Sequence, residues 1–182
     1  MERRILVMDR DYFSIENQQK RIQENQEIKK AEKRFKKLMK SDSFKIESNW
    51  HINKGEIDFS HLKDHKPNYI ETDNYSIYEI NKIDLFKILN STVKDTFQKK
   101  NIWTKHSPFN ITKVLIHWEK GDKLIPPILN MDLTKTNFIL EDGKHRFAVF
   151  NYFEEVKLPI IVPDIFLEKF KEICSDLKIK EV

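Results

Sequence analysis

Apolar and polar residues alternate over residues 75–80, which predicts a strand with one buried face. Directly afterwards, apolar residues recur at the three- and four-residue spacing of a helix. These positions are Phe86, Leu89, Val93 and Phe97. The pattern therefore predicts a strand followed by one amphipathic helix.

A second helix is predicted between Asn110, in the N-cap position, and Gly121, which follows the last turn. Its apolar face consists of Ile111, Val114, Leu115 and Trp118. Residues 124–129 then predict a short strand. Pro126 and Pro127 belong at the start or edge of this strand, because proline has no N–H to donate to a neighbouring strand.

The C-terminal third repeats the order strand, helix, strand. Residues 137–140 predict a strand that runs directly into the polar segment 141–146. Residues 147–153 are apolar on almost every face, which predicts a buried helix, and residues 158–162 predict a closing strand. Asp164 is predicted to cap a last helix. The apolar positions of that helix are Phe166, Phe170, Ile173 and Leu177.

Residues 14–40 contain no Gly or Pro and are rich in Gln, Glu and Lys, which predicts a long helix. In the N-terminal half of this helix, only Ile15 and Ile22 continue the apolar stripe. We therefore expect the C-terminal half to pack against the rest of the protein and one side of the helix to lie in water. Residues 14–45 carry 10 Lys and Arg against 5 Asp and Glu, whereas the formal net charge of the whole chain is only +4. Alternatively, this segment contacts nucleic-acid phosphate or a partner helix.

These elements predict an α+β fold in which helices surround a small mixed sheet and a long basic helix precedes it. We expect an N-terminal region over residues 1–45 and one domain over residues 46–182. The 182 residues include 39% hydrophobic residues and 13 Phe, enough for one packed core. Cys174 is the single cysteine and is predicted to be buried and inert. With no signal peptide or membrane span recognisable, we expect a soluble cytoplasmic protein.

Some polar residues outside the segment 141–146 have the chemistry of ligands or bases. Glu119 and Asp122 flank a helix end, where acids are common and usually solvated. His61, Asp64 and His65 fall within one turn, but the lysines beside them disfavour a cation. We interpret all five as solvent-exposed.

The segment from Asp142 to Arg146 carries the most informative chemistry. Gly143 lies where a strand must reverse into a helix, a position that favours a positive φ and close approach of the backbone to a ligand. The N–H groups of the following helix would form an anion site. Arg146 and Lys144 add positive charge, and His145 is a further donor. Asp142 would ligate a cation, cap the helix or accept a substrate proton.

Four segments, taken in order, resemble the core of the ParB/sulfiredoxin superfamily. They are residues 118–121 (WEKG), 124–129 (LIPPIL), 138–148 (FILEDGKHRFA) and 158–162 (LPIIV). The family pattern is a helix that ends in glycine, a proline-led strand, a strand ending in a D-G-x-x-R-like turn, a buried helix and a closing strand. The resemblance covers about residues 75–163.

Members of this superfamily use the turn for phosphate groups: ParB-type proteins bind CTP and act on DNA, amino-acid kinases bind an adenine nucleotide, and sulfiredoxins carry a catalytic cysteine there. Lys144 occupies the position of that cysteine, so sulfiredoxin chemistry is not implied. The turn also departs from the acid and two arginines of ParB-type proteins, since it offers Lys144, His145 and the single Arg146.

The resemblance implies that Gly143, Lys144, His145 and Arg146 bind a nucleoside phosphate, accompanied by Mg²⁺. Asp142 and His145 are the predicted catalytic residues for its hydrolysis or for phosphoryl transfer. Two alternatives stay open. One is a protein that binds or cleaves nucleic acid through the turn and the basic helix. The other is a non-catalytic interaction protein with a protein partner at the N-terminal helix.

Overall fold

The computed structural model describes residues 14–59, 74–132, 134 and 136–182. Within these ranges the chain forms six α-helices and one five-stranded sheet. The helices are α1 (Ile15–Leu38), α2 (Lys82–Ile88), α3 (Ser91–Lys94), α4 (Pro108–Glu119), α5 (Lys144–Tyr152) and α6 (Leu167–Ile173). The strands are β1 (Tyr75–Asn81), β2 (Ile128–Met131), β3 (Phe138–Asp142), β4 (Lys157–Pro163) and β5 (Ile179–Glu181).

The sheet is mixed, with strand order β3-β2-β4-β1-β5. β1 pairs antiparallel with both β4 and β5, and β2 pairs antiparallel with β3. A parallel contact between Ile128 and Ile161 joins the two halves. Buried residues run along almost the whole of β4, as expected for a central strand. The predicted α+β fold with a small mixed sheet and a long N-terminal helix is confirmed.

Helix α1 is anchored by its C-terminal half. Ser14 caps it, with the hydroxyl accepting from the N–H of Asn17 at 3.2 Å. Ile15 and Ile22 are exposed, whereas Phe35 is fully buried and belongs to the main core. The guanidinium of Arg34 donates two hydrogen bonds to Glu119 at the end of α4. The predicted asymmetry of this helix is therefore confirmed, and the division at residues 45 and 46 stays a prediction.

The single helix predicted over Phe86 to Phe97 is wrong. Helix α2 ends at Ile88, and Leu89 adopts an extended conformation that bridges to Phe138 of β3. The side chain of Asn90 accepts from the N–H of Thr92 and so starts the short helix α3. An asparagine stabilises a helix start better than a helix interior, and it therefore divides the segment although the apolar positions remain periodic.

Three predicted boundaries are also corrected. The N-cap of α4 is Ser107 rather than Asn110. Pro108 fits the first helical turn, and the Ser107 hydroxyl accepts a hydrogen bond from the N–H of Asn110. Strand β2 begins at Ile128, after both prolines, instead of at residue 124. Asp164 starts a short 3₁₀ helix and makes no side-chain capping bond.

Gly121 ends α4 as predicted, and it does so in a Schellman motif. Its φ is 79°, its N–H donates to the carbonyl of Trp118 at 3.0 Å, and the N–H of Asp122 donates to the carbonyl of His117 at 3.0 Å. The chain after α4 is thereby folded back against the last turn of the helix.

The main core combines buried residues of the sheet with those of α4 and α5 and includes residues of α1, α2 and α6. The predicted burial of the helix after the turn is confirmed, since Phe147, Val149 and Phe150 have no exposed surface. Cys174 is 2% exposed, and burial raises the pKa of its thiol to about 12, which fits an inert core residue. Among the described residues, no helix combines the length and the apolar character needed to cross a membrane.

Alanine substitutions at the three glycines should destabilise the fold by different amounts, according to the backbone conformation and the space at each position. Gly143→Ala should lower the free energy of unfolding by about 2–5 kcal/mol, because it adds left-handed strain and overpacking. A Cβ at Gly143 would lie 2.6 Å from the Cα of Pro127. Gly121→Ala meets no atom within 4 Å and has only the strain of a positive φ, so about 1–2 kcal/mol is expected.

Gly55→Ala is the control, because Gly55 has open space and an ordinary φ, and its change should stay within about 0.5 kcal/mol. The measurement is urea denaturation of the three variants. Equal losses at Gly121 and Gly143 would contradict the close approach to Pro127.

Candidate functional site

The backbone at Gly143 connects β3 directly to α5. Its φ and ψ are 83° and 9°, and no side chain caps the helix that it starts. Gly143 lies so close to Pro127 that no side chain fits between the two residues. The positive φ predicted from the sequence is confirmed, and the tight contact fixes the turn against the segment that leads into β2.

The first N–H groups of helix α5 have no capping partner within the part of the chain that the structure describes. The first intrahelical bond is donated by Phe147 to the carbonyl of Gly143, at 2.8 Å. The N–H groups of Lys144, His145 and Arg146 precede this bond, and a helix offers them no acceptor. Together with the positive end of the helix dipole, they favour an anion at this end of α5.

Arg146 is held in place by Asp142. Its Nη2 donates to Oδ2 of Asp142 at 2.5 Å, and the Arg146 side chain is 14% exposed. The Nε atom of Arg146 is buried and has no hydrogen-bond partner among the described residues. A buried N–H without an acceptor is unfavourable, so a ligand oxygen that accepts a hydrogen bond from this N–H would stabilise the site.

Next to the turn lies a cavity of about 420 Å³ between α4 and α5. Four of the five predicted site residues line it, and the exposed side chain of Lys144 does not. The lining residues are Asn110, Lys113, Val114, His117, Leu124, Asp142, Gly143, His145 and Arg146. The turn is thus beside an open space rather than buried beneath other side chains.

His145, which lines this cavity, pairs with the imidazole of His106. Their ring centroids are 5.9 Å apart in an edge-to-face arrangement, and Nε2 of His106 lies 3.0 Å from the carbonyl of Thr96. Because a carbonyl only accepts, this nitrogen carries the proton. Burial lowers the pKa of His145, and the neighbouring His106 lowers it further. The pKa of His106 is also lowered by burial. Burial thus favours the neutral form of both rings.

Two cavity residues that the sequence did not single out come from α4. Lys113 and His117 are four residues apart and share a helix face with Asn110. This polar face lies beside the apolar face that predicted the helix, and Val114 of the apolar face lines the same cavity. Its spacing was visible in the sequence, but nothing there indicated that the face would meet the turn at Gly143.

The other polar candidates are placed as follows. Glu119 binds Arg34, and Asp122 lies 2.9 Å from Nδ1 of His117; both are exposed, as predicted. His61, Asp64 and His65 lie outside the described residues. The parts of the chain that the structure covers contain no group of three or more His, Cys, Asp or Glu side chains that could hold a metal ion.

The lowered pKa of His145 predicts a loss of stability in acid. As the pH falls from about 7.5 to about 5.5, through the ordinary histidine pKa of about 6.5, the unfolded chain takes up protons that the folded site resists. Stability should fall over this window, because the folded state binds fewer protons. His145→Gln should reduce the dependence, as measured by urea midpoints at each pH.

Asn110→Ala is the control, because it alters the same cavity without removing a titrating group. The assignment would be contradicted if His145→Gln kept the full pH dependence.

Comparison with known proteins gives no relative on which to draw. No family model matches the chain, and neither the curated proteins nor the solved structures contain a match. The geometry of the turn and its cavity therefore carries the functional interpretation alone.

Proposed function

We propose that the protein binds a nucleoside phosphate, accompanied by Mg²⁺, with a phosphate group at the turn Asp142–Arg146. The observation that carries this proposal is a set of donors that lack hydrogen-bond partners among the described residues and belong to the turn beside one cavity. These donors are the first N–H groups of α5 and the buried Nε of Arg146. Phosphate oxygens are acceptors only and carry negative charge, so they match such a set.

The charge around the cavity supports an anion. Lys113 and Arg146 line it with positive charge, and Asp142 is the one acidic residue among the described residues that line it. The carboxylate of Asp142 is already bound to Arg146, which orients the guanidinium before a ligand arrives. A preoriented guanidinium is suited to bidentate contact with phosphate.

The size and walls of the cavity support a ligand larger than inorganic phosphate. Its volume of about 420 Å³ is within the range of small-molecule sites. Val114 and Leu124 supply apolar surface for a sugar or base, and the amide of Asn110 can donate and accept. We propose that Mg²⁺ arrives on the phosphates, since this cation is commonly held by substrate phosphates with few protein ligands.

We further propose a ParB/sulfiredoxin-like fold and a cytoplasmic protein, on the basis of the motif succession over residues 75–163 and the single buried cysteine. Asp142 and His145 remain the predicted catalytic residues for hydrolysis or phosphoryl transfer. Both line the cavity beside the α5 N-terminus, so both can reach a ligand held there.

Nucleic acid is the second candidate ligand, because its backbone carries the same group. The observation in its favour is the exposure of Lys20, Arg21, Lys29 and Lys30 along α1. A protein partner at α1 is the remaining possibility, and the exposed Ile15 and Ile22 favour it. Neither observation involves the turn, so the nucleotide proposal is preferred.

Nucleoside triphosphates with Mg²⁺ should raise the melting temperature, because a ligand at 100 times its Kd stabilises the folded state by about 2.7 kcal/mol. Arg146→Lys should weaken binding about 10- to 100-fold, since hydrogen bonds to charged groups contribute about 1.5–3 kcal/mol and the lysine loses the guanidinium fork. A thermal melt measures the first effect, and isothermal titration calorimetry measures the second.

Lys113→Ala and Lys120→Ala form a matched pair at α4. Lys113 lines the cavity, whereas Lys120 is the exposed C-cap residue outside it, so only the former should weaken binding. Equal affinity in wild type, Arg146→Lys and Lys113→Ala would place the phosphate elsewhere. If no nucleotide binds, a labelled oligonucleotide titrated at increasing salt tests the second candidate.

A further inference from the structure

We infer that His117, oriented by Asp122, is the general base that activates the oxygen nucleophile for cleavage of a phosphoanhydride held at the α5 N-terminus. This inference rests on the proposed function and adds a catalytic residue that neither the turn nor the resemblance contains. Three observations carry it: the local backbone, the hydrogen bond between the two side chains, and the charges on the other proton acceptors of the cavity.

The Schellman motif at Gly121 brings Asp122 to His117. The N–H of Asp122 donates to the carbonyl of His117, and the carboxylate of the same residue lies 2.9 Å from Nδ1 of the ring. Backbone and side chain thus make separate contacts with one residue. The position of Asp122 is therefore set by the helix end and does not depend on a flexible loop.

The hydrogen bond fixes the tautomer of His117. An ionised carboxylate can only accept, so Nδ1 carries the proton and Nε2 holds the lone pair of the neutral ring. A histidine whose one nitrogen is bound to a carboxylate and whose other nitrogen is a base is the arrangement that orients catalytic imidazoles. His117 lines the same cavity as Arg146 and His145.

The other proton acceptors at the cavity are less suited to this task. Asp142 is bound to Arg146. Burial opposes the protonation of His145, as do its neighbours His106, Arg146 and Lys144, and Asp142 alone favours it. His117 instead has the carboxylate of Asp122 at hydrogen-bonding distance, which stabilises the imidazolium formed when it takes a proton.

The other groups that line the cavity on the side of α5 are Asp142, His145 and Arg146, and Lys113 lies one turn earlier on α4. Asp122 is the carboxylate within hydrogen-bonding distance of the His117 ring, and it compensates the positive charge that appears on the ring when the water proton arrives.

The reaction is the attack of water on the terminal phosphorus of a nucleoside triphosphate. As the new P–O bond forms, a water proton moves to Nε2 of His117. The bond from phosphorus to the bridging oxygen breaks, and its electron pair leaves with the nucleoside diphosphate. Inorganic phosphate is the second product, and His117 returns its proton to solvent. The N–H groups of α5 and Arg146 stabilise the phosphoryl charge throughout.

The test measures inorganic phosphate release from ATP, CTP, GTP and UTP, each with Mg²⁺, by the full chain. His117→Gln should lower kcat by about 10²- to 10⁴-fold, the contribution of a positioned general base. Binding of a non-hydrolysable triphosphate analogue should remain within about threefold, because the phosphate donors are intact. The acid limb of the pH–rate profile should disappear with the base.

Asp122→Asn tests the positioning residue. The amide can still accept from Nδ1 but carries no charge to stabilise the imidazolium, so kcat should fall while the analogue binds normally. His51→Gln is the control, since His51 also lies near an acid, 3.6 Å from Glu56, but does not line the cavity. This variant should keep the wild-type rate and profile.

The outcomes separate the two proposals. Analogue binding without phosphate release by wild type would overturn the catalytic role of His117 and leave the proposed function standing. An unchanged kcat in His117→Gln, or a loss of analogue binding in that variant, would also overturn it. If wild type does not bind the analogue, the proposed function fails first. Loss of kcat and of the acid limb with retained binding supports the inference.

Discussion

The close approach of Gly143 to Pro127 determines the geometry of the whole site. A Cβ at Gly143 would lie within 2.6 Å of the proline backbone, so the turn can contact the β2 segment only because its residue has no side chain. The positive φ at the same residue directs the chain from β3 into α5. This single contact therefore aligns the start of a buried helix with the edge of a cavity.

The second constraint is the balance of charge beside that turn. Arg146 is mostly buried and shares a hydrogen bond with Asp142, which stabilises a guanidinium that would otherwise be poorly solvated. Because Asp142 contacts only one side of the fork, Nε of Arg146 remains without a partner among the described residues. The pair thus holds the cation in place and still leaves binding capacity for an anion.

Helix α4 links these features to the rest of the protein. It packs against α1 on one side and α5 on the other, and Arg34 of α1 binds Glu119 at its end. Its polar face carries Lys113 and His117 into the cavity, while its apolar face contributes to the core. The Schellman motif that ends the helix also positions Asp122, so one local structure both terminates α4 and builds the histidine–carboxylate pair.

The sequence by itself determined the α+β class, the long helix with one anchored half, the positive φ of Gly143 and the buried helix after it. These are local consequences of periodicity, glycine and apolar runs. Only the tertiary structure divided the segment at Asn90, added the three-residue strand β5, and brought the polar face of α4 to the turn. The strand β5 and the meeting of α4 with the turn depend on contacts between residues far apart in the chain, which no spacing along one segment encodes. At Asn90 the bridge from Leu89 to Phe138 adds such a contact to the local cap.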